Sequence, residues 1–149
     1  MFKTDWLFKK DEITREVVEK VENELNISFP EFYAKCILKN HGAQPEENMF
    51  DFEEREGAVF GSLLHFNLNE KNNILEVYDD VKDRLPDLVY PFAEDPAGNL
   101  ICFDYRENEE PDVVFWDHEQ AQLEDEDAAI SYICDSFEEL LDQLYDVEL

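Results

Sequence analysis

The sequence predicts an α+β protein, with an N-terminal helical hairpin and a C-terminal helix packed on one face of a mostly antiparallel sheet. Three observations carry this expectation. Apolar residues recur at helical spacing through the first third, β-rich runs separated by polar turns fill residues 100–116, and a Ser-x-x-Glu box opens an apolar helical stretch near the C-terminus.

Ile13, Val17, Val21 and Leu25 recur every four residues among Arg15, Glu16, Glu19, Lys20 and Glu22, the period of an amphipathic helix. Ser28-Phe29-Pro30-Glu31 has the form of a capping box, with Pro30 in the first turn and Phe32, Cys36 and Ile37 facing inward. Asn40-His41-Gly42 closes this second helix through a left-handed glycine. Met49–Phe52 and Val59–Phe66 read as strands around a charged turn, Glu53–Gly57. Asn73–Leu85 places Ile74, Val77, Tyr78, Val81 and Leu85 on one helical face and stops before Pro86. Leu100–Tyr105 and Val113–Trp116, joined by a polar loop from Arg106 to Pro111, form an antiparallel hairpin. Ile130–Cys134 is a short extended run, and Ser136-Phe137-Glu138-Glu139 opens the last helix with Phe137, Leu140, Leu141 and Leu144 inward.

With 149 residues, 44% hydrophobic, no repeat and no Gly-, Pro- or Ser-rich linker, residues 1–149 read as one domain. Thirty-nine acids against 12 Lys and Arg give a net charge of -27, which excludes nucleic acid and anionic membrane as partners. Twelve Phe, 6 Tyr and 2 Trp nonetheless supply a core, so the charge does not imply disorder. The basic start around Lys3, Lys9 and Lys10 leads into no apolar run of signal length, and Ala58–Phe66 is too short for a membrane span, so the expected compartment is the cytoplasm. Cys36, Cys102 and Cys134 have no C-x-x-C spacing and sit among apolar neighbours, as buried thiols in a reducing compartment do.

The charge is polarised: after Arg106 the chain carries 16 acids and no Lys or Arg, leaving -11 for residues 1–106. Beside a minor one, metal binding, two readings stand side by side. The acids are solvated charge tuned for solubility, or they form a negative field that captures a basic protein. On the second reading the contact residues are Glu107, Glu109, Glu110, Asp112, Asp117, Glu119, Glu124, Asp125, Glu126 and Asp127. An apolar anchor could outweigh these acids, and Trp6, Phe8, Tyr78, Tyr90 and Trp116 are the candidates for one.

Catalytic chemistry finds little support. Neither Asp95–Asn99 nor Glu124–Asp127 keeps calcium-loop spacing, and His41, His65 and His118 lack a second ligand at i+4 for zinc, so no metal or cofactor is expected. Cys102 lies mid-strand between Ile101 and Phe103, where a thiol is inert. Asp104 and Asp117 could face each other across the hairpin as a carboxylate pair, though alternation makes them solvent-facing acids. Gly57–Gly61 and Gly98 do not make a phosphate loop. No catalytic residue is assigned and the chain is read as a non-enzyme.

Read in order, several segments resemble the SUKH superfamily, named for its similarity to fungal cell-wall synthesis regulators. They are Phe29-Pro30-Glu31-Phe32-Tyr33, Asn40-His41-Gly42, Pro91-Phe92-Ala93 with Asp95, Gly98–Tyr105, Val113–Glu119 and Ser136–Leu141. The likeness spans roughly residues 10 to 145 and is greatest to the YobK-like members found in Bacillus. It implies a SUKH-like α+β fold and a cytoplasmic immunity protein, an antitoxin that neutralises a cognate polymorphic toxin by binding, without chemistry. In many cases that toxin is a nuclease carried at the C-terminus of a secreted protein. A nuclease presents Lys and Arg to phosphates, so a carboxylate-rich surface can occupy its site as a surrogate. A regulatory or scaffolding adaptor of the same fold is the alternative, and the oligomeric state is left open.

Overall fold

The computed structural model describes residues 4–53, 55–123 and 127–146. A two-residue strand β1 (Trp6–Leu7) precedes helices α1 (Arg15–Leu25) and α2 (Glu31–Asn40), and pairs antiparallel with β2 (Gln44–Pro45). A hairpin of β3 (Met49–Phe52) and β4 (Arg55–Val59) follows. The main sheet has order β5-β6-β7-β8-β9, every neighbour antiparallel, from β5 (Ser62–Leu63), β6 (Val89–Glu94), β7 (Leu100–Asp104), β8 (Asp112–Trp116) and β9 (Ile130–Cys134). Helix α3 (Ile74–Val81) with a 3₁₀ turn connects β5 to β6, α4 (His118–Leu123) lies between β8 and β9, and α5 (Phe137–Gln143) follows β9.

The helical hairpin forms as expected, but α2 starts two residues later than its capping box implies. Ser28 as cap would require Phe29 to be helical, and a residue before proline is biased away from that conformation. Pro30 is instead extended at ψ 138, Glu31 pairs with Arg15, and the Phe29 amide donates to the Glu22 carboxylate at 2.7 Å. This phase turns Tyr33, Ala34 and Ile37 inward and leaves Phe32 and Cys36 half-buried. Gly42, at φ +75, lets the chain leave α2.

The expected turn Glu53–Gly57 is largely strand β4, and the expected strand Val59–Phe66 is divided at Gly61. There the backbone passes so close to β6 that a Cβ on Gly61 would lie 2.6 Å from the Glu94 carbonyl oxygen. β6 itself carries Pro91, and the ladder shifts between Pro91 and Ala93, the bulge that admits a proline into an inner strand.

Helices cover both faces of the main sheet, not one. Ile101, Phe103, Val113 and Phe115 join the larger core, in which Tyr33 contacts the rings of Phe29, Phe92, Phe103 and Phe137. Leu100, Cys102, Val114 and Trp116 point the other way, into a smaller cluster closed by Val81, Leu85 and Ala129, with Ala121 of α4 against it. This two-sided burial explains why β7 and β8 are continuously apolar instead of alternating. Leu100 and Trp116 lie at one end of that face, and Val89, opposite Asp104, extends the cluster toward the other.

Candidate functional site

At the other end of the same face the strands finish in carboxylates. Asp104 of β7 and Asp112 of β8 are cross-strand partners, and Tyr132 of β9 lies opposite Val114. Together with Arg106, Glu107 and Ile130 they line a groove of about 600 Å³ with an apolar floor and an acidic rim. Arg106 folds back on Asp104, donating from its backbone N and Nε to Oδ1 at 3.0 Å each and from Nη2 to Oδ2 at 2.9 Å. Asp112 has no such counter-charge: among the described residues it is in no ion pair. Burial raises its pKa, and Asp135, Asp104 and Glu107 push it in the same direction. Tyr132, 53% exposed, donates its hydroxyl to Asp135, so an aromatic ring and an acid stand together at the mouth. The groove offers what a Lys or Arg side chain needs, namely apolar surface for the stem, a ring for the cation and carboxylates for its donors.

Of the acids expected to form a contact surface, Glu107 and Asp112 line this groove, and the exposed Glu109 and Glu110 stand in the loop beside it. Asp117 and Glu119 are not part of it. They lie beyond the far end of β8, about 17 Å along the strand from Asp112. There Asp117 caps α4, accepting from the Glu119 and Gln120 amides at 2.9 and 3.3 Å, and meets Arg55 at 3.7 Å. Glu124, Asp125 and Glu126, and the side chain of Asp127, lie outside the described residues. Sequence reasoning missed Tyr132 and Asp135. The alternation along β8 and β9 carried the signal, because Asp112, Val114 and Tyr132 share a face once the strands are paired. The imagined Asp104–Asp117 pair is corrected by the register, which sets Asp104 against Asp112.

The profile of the family SUKH_6, described as SMI1-KNR4 cell-wall, matches residues 15–141. The chain belongs to the SUKH family. It is also 35% identical over 78 residues to the SPbeta prophage-derived uncharacterized protein YokK of Bacillus subtilis (strain 168), a match covering 52% of this chain and 38% of that relative's length. SUKH proteins include immunity proteins and are generally without enzymatic activity.

The SUKH match runs from the start of α1 into α5 and so contains the whole main sheet and the acidic groove. Other chemistry-bearing side chains of the SUKH chain are occupied structurally. His41 is buried, with Nε2 donating to the Asp11 carbonyl at 2.8 Å and Nδ1 accepting from the Phe66 amide at 2.9 Å. His65 bridges the Lys71 carbonyl and the Asn67 amide. Burial pushes the Cys36 thiol up to about 11 and Cys134 to about 12, and raises Cys102 well above its ordinary value, away from thiolate reactivity. Among the described residues no group of three or more His, Cys, Asp or Glu is placed to hold a metal ion, and no helix is long and apolar enough to cross a membrane. Of the anchor candidates, Tyr90 and Trp116 are buried, Trp6 and Tyr78 are half-buried, and Phe8 stands exposed.

Proposed function

We propose that this SUKH chain is an immunity protein that binds and neutralises a cognate basic toxin C-terminal domain, a nuclease, through its acidic surface. The observation that supports this reading is Asp112, a carboxylate without an ion-pair partner among the described residues, held over an apolar floor beside Tyr132. Its surroundings disfavour its own charge, so an incoming guanidinium or ammonium group relieves repulsion that the free protein carries. Glu107, Glu109 and Glu110 extend the negative field toward the partner. Asp117 and Glu119 form the distal part of that field, where steering rather than close contact is expected, and the acids 124–127 add to the charge that steers.

The test is co-expression with the toxin domain encoded beside its gene, scoring survival, co-purification and nuclease activity at two salt concentrations. Protection by the wild type, lost in an Asp112→Lys, Tyr132→Ala double variant and retained in Asp117→Asn, supports the reading. Protection unaffected by the double variant, or association that does not change with salt, refutes the groove as the contact. Absence of any complex or protection leaves the adaptor alternative.

A further inference from the structure

A second groove, on the side of the sheet that carries α2 and α5, has the opposite charge. It occupies about 500 Å³ where the N-terminal strap meets α2 and α5, with Trp6, Phe32 and Leu141 as apolar walls and Lys9, Lys35 and Lys39 around it. In a chain whose acids outnumber its bases 39 to 12, a lysine is expected to find a carboxylate. Arg15, Arg55, Lys82 and Arg106 do so, whereas among the described residues Lys9, Lys35 and Lys39 are in no ion pair. Lys10, Lys20 and Lys71 share that state, and what sets Lys9, Lys35 and Lys39 apart is that they line one groove together. Lys35 and Lys39 stand at i and i+4 on α2, the spacing at which like charges repel, and Asp5 is the one acid in the lining.

Between the lining residues Trp6 and Lys9, the strap carries a second, independent signal. Leu7 is 40% and Phe8 76% exposed, and Phe8 sits at φ 61, a left-handed conformation that a bulky residue rarely adopts. The strap is held by β1–β2 pairing and by Trp6 edge-on to Phe60 at 6.0 Å, so Phe8 is presented outward from a fixed base.

We propose that this lysine groove docks an acidic polypeptide segment of a partner protein, one that carries an apolar residue against Phe8 between its carboxylates. A short acidic segment senses chiefly the lysines it touches, because charges farther than about 8 Å are screened at 0.15 M salt. A bare phosphate-type anion leaves Leu7 and Phe8 uncovered. A second copy brings its own -27 to the contact. The inference is independent of the acidic groove.

The experiment uses the intact chain and a tryptophan-free 12-residue Asp/Glu peptide with a central Leu-Phe pair, read by Trp6 emission. Trp116, 1% exposed, provides a steady background. Saturation below about 1 mM at 0.15 M salt is expected, weakened at least about tenfold by Lys35→Glu/Lys39→Glu and separately by Phe8→Ser. Phe8 is exposed, so that second variant tests the surface without disturbing the core. Any of four results overturns the proposal. These are no saturation, equal binding of a Ser-Ser control peptide or of tripolyphosphate, equal binding by the variants, or self-association in sedimentation that the lysine variant abolishes.

Discussion

The Phe29 backbone amide is capped by the carboxylate of Glu22, 2.7 Å away on the preceding helix. A side chain of α1 thus holds the start of α2, while Ser28, the cap the sequence suggests, only offers its carbonyl to the Tyr105 hydroxyl at 2.8 Å. Glu22→Ala is therefore expected to lower stability by about 1.5–3 kcal/mol, the range for a hydrogen bond to a charged group. Ser28→Ala is expected to change it by less than about 0.5 kcal/mol. Urea unfolding of the two variants checks this, and a larger loss in the Ser28 variant would restore the capping box.

At the centre of the larger core, Tyr33 is fully enclosed by aromatic rings, and its hydroxyl has no hydrogen-bond partner. An unsatisfied buried hydroxyl is a liability, so Tyr33→Phe is expected to be neutral or stabilising by up to about 1 kcal/mol. Tyr33→Ala, which empties the same space, is expected to lose about 3–5 kcal/mol. Chemical denaturation distinguishes the two. A loss above about 1 kcal/mol in the Phe variant would mean that the hydroxyl bonds a buried water.

These two sites also mark the limits of sequence reasoning. Elements whose signal is local were legible: Ser136 accepts from the Glu139 amide at 3.1 Å as its box implies, Asn73 caps α3, and β7 pairs with β8 as the β-rich runs suggest. Elements whose signal conflicts locally were not. β6 was hidden by Pro91, which a bulge accommodates, and β4 by its charged start, which is paired only because β3 lies beside it. Between Trp116 and Ile130 the sequence suggests no element, although Asp117 caps α4 there. Within the candidate site the acids after Arg106 were visible as a charge count. Their separation into a groove around Asp112 and a cap at Asp117 depends on register, which composition does not encode.

His41 links the end of α2 to the segment after β5 while remaining buried, and burial lowers its pKa from the ordinary 6.5. A histidine held neutral in the fold binds fewer protons there than in the unfolded chain. Its contribution to stability is therefore complete above about pH 6.5 and is lost as pH falls from that value through the folded pKa. An NMR titration of the His41 ring should give a midpoint below 6.5. The pH dependence of unfolding should flatten between pH 6.5 and 5 in His41→Gln, whose amide can still offer a donor to Asp11 and an acceptor to Phe66. A midpoint above 6.5 would refute the assignment.

Asp112 carries the opposite sign. Its pKa is raised from 3.8 by burial and by Asp135, Asp104 and Glu107, so the folded state binds its proton more tightly than the unfolded chain does. The penalty is full above the folded pKa and is relieved as pH falls through that value toward 3.8. Asp112→Asn removes the charge and keeps the shape, and is expected to be more stable than the wild type at pH 7, with the gain shrinking as pH falls through the carboxylate range. The groove is open to solvent, which limits the gain. The same variant should bind the basic partner more weakly, and lose part of the salt dependence of association, because the repulsion it relieves is what the partner's cation relieves on binding. Thermal unfolding across pH 3–7 and association rates at two salt concentrations measure the two effects on one protein. A variant that is more stable yet binds unchanged would detach Asp112 from the interface, and one that is less stable at pH 7 would mean that its carboxylate is already compensated in the free protein.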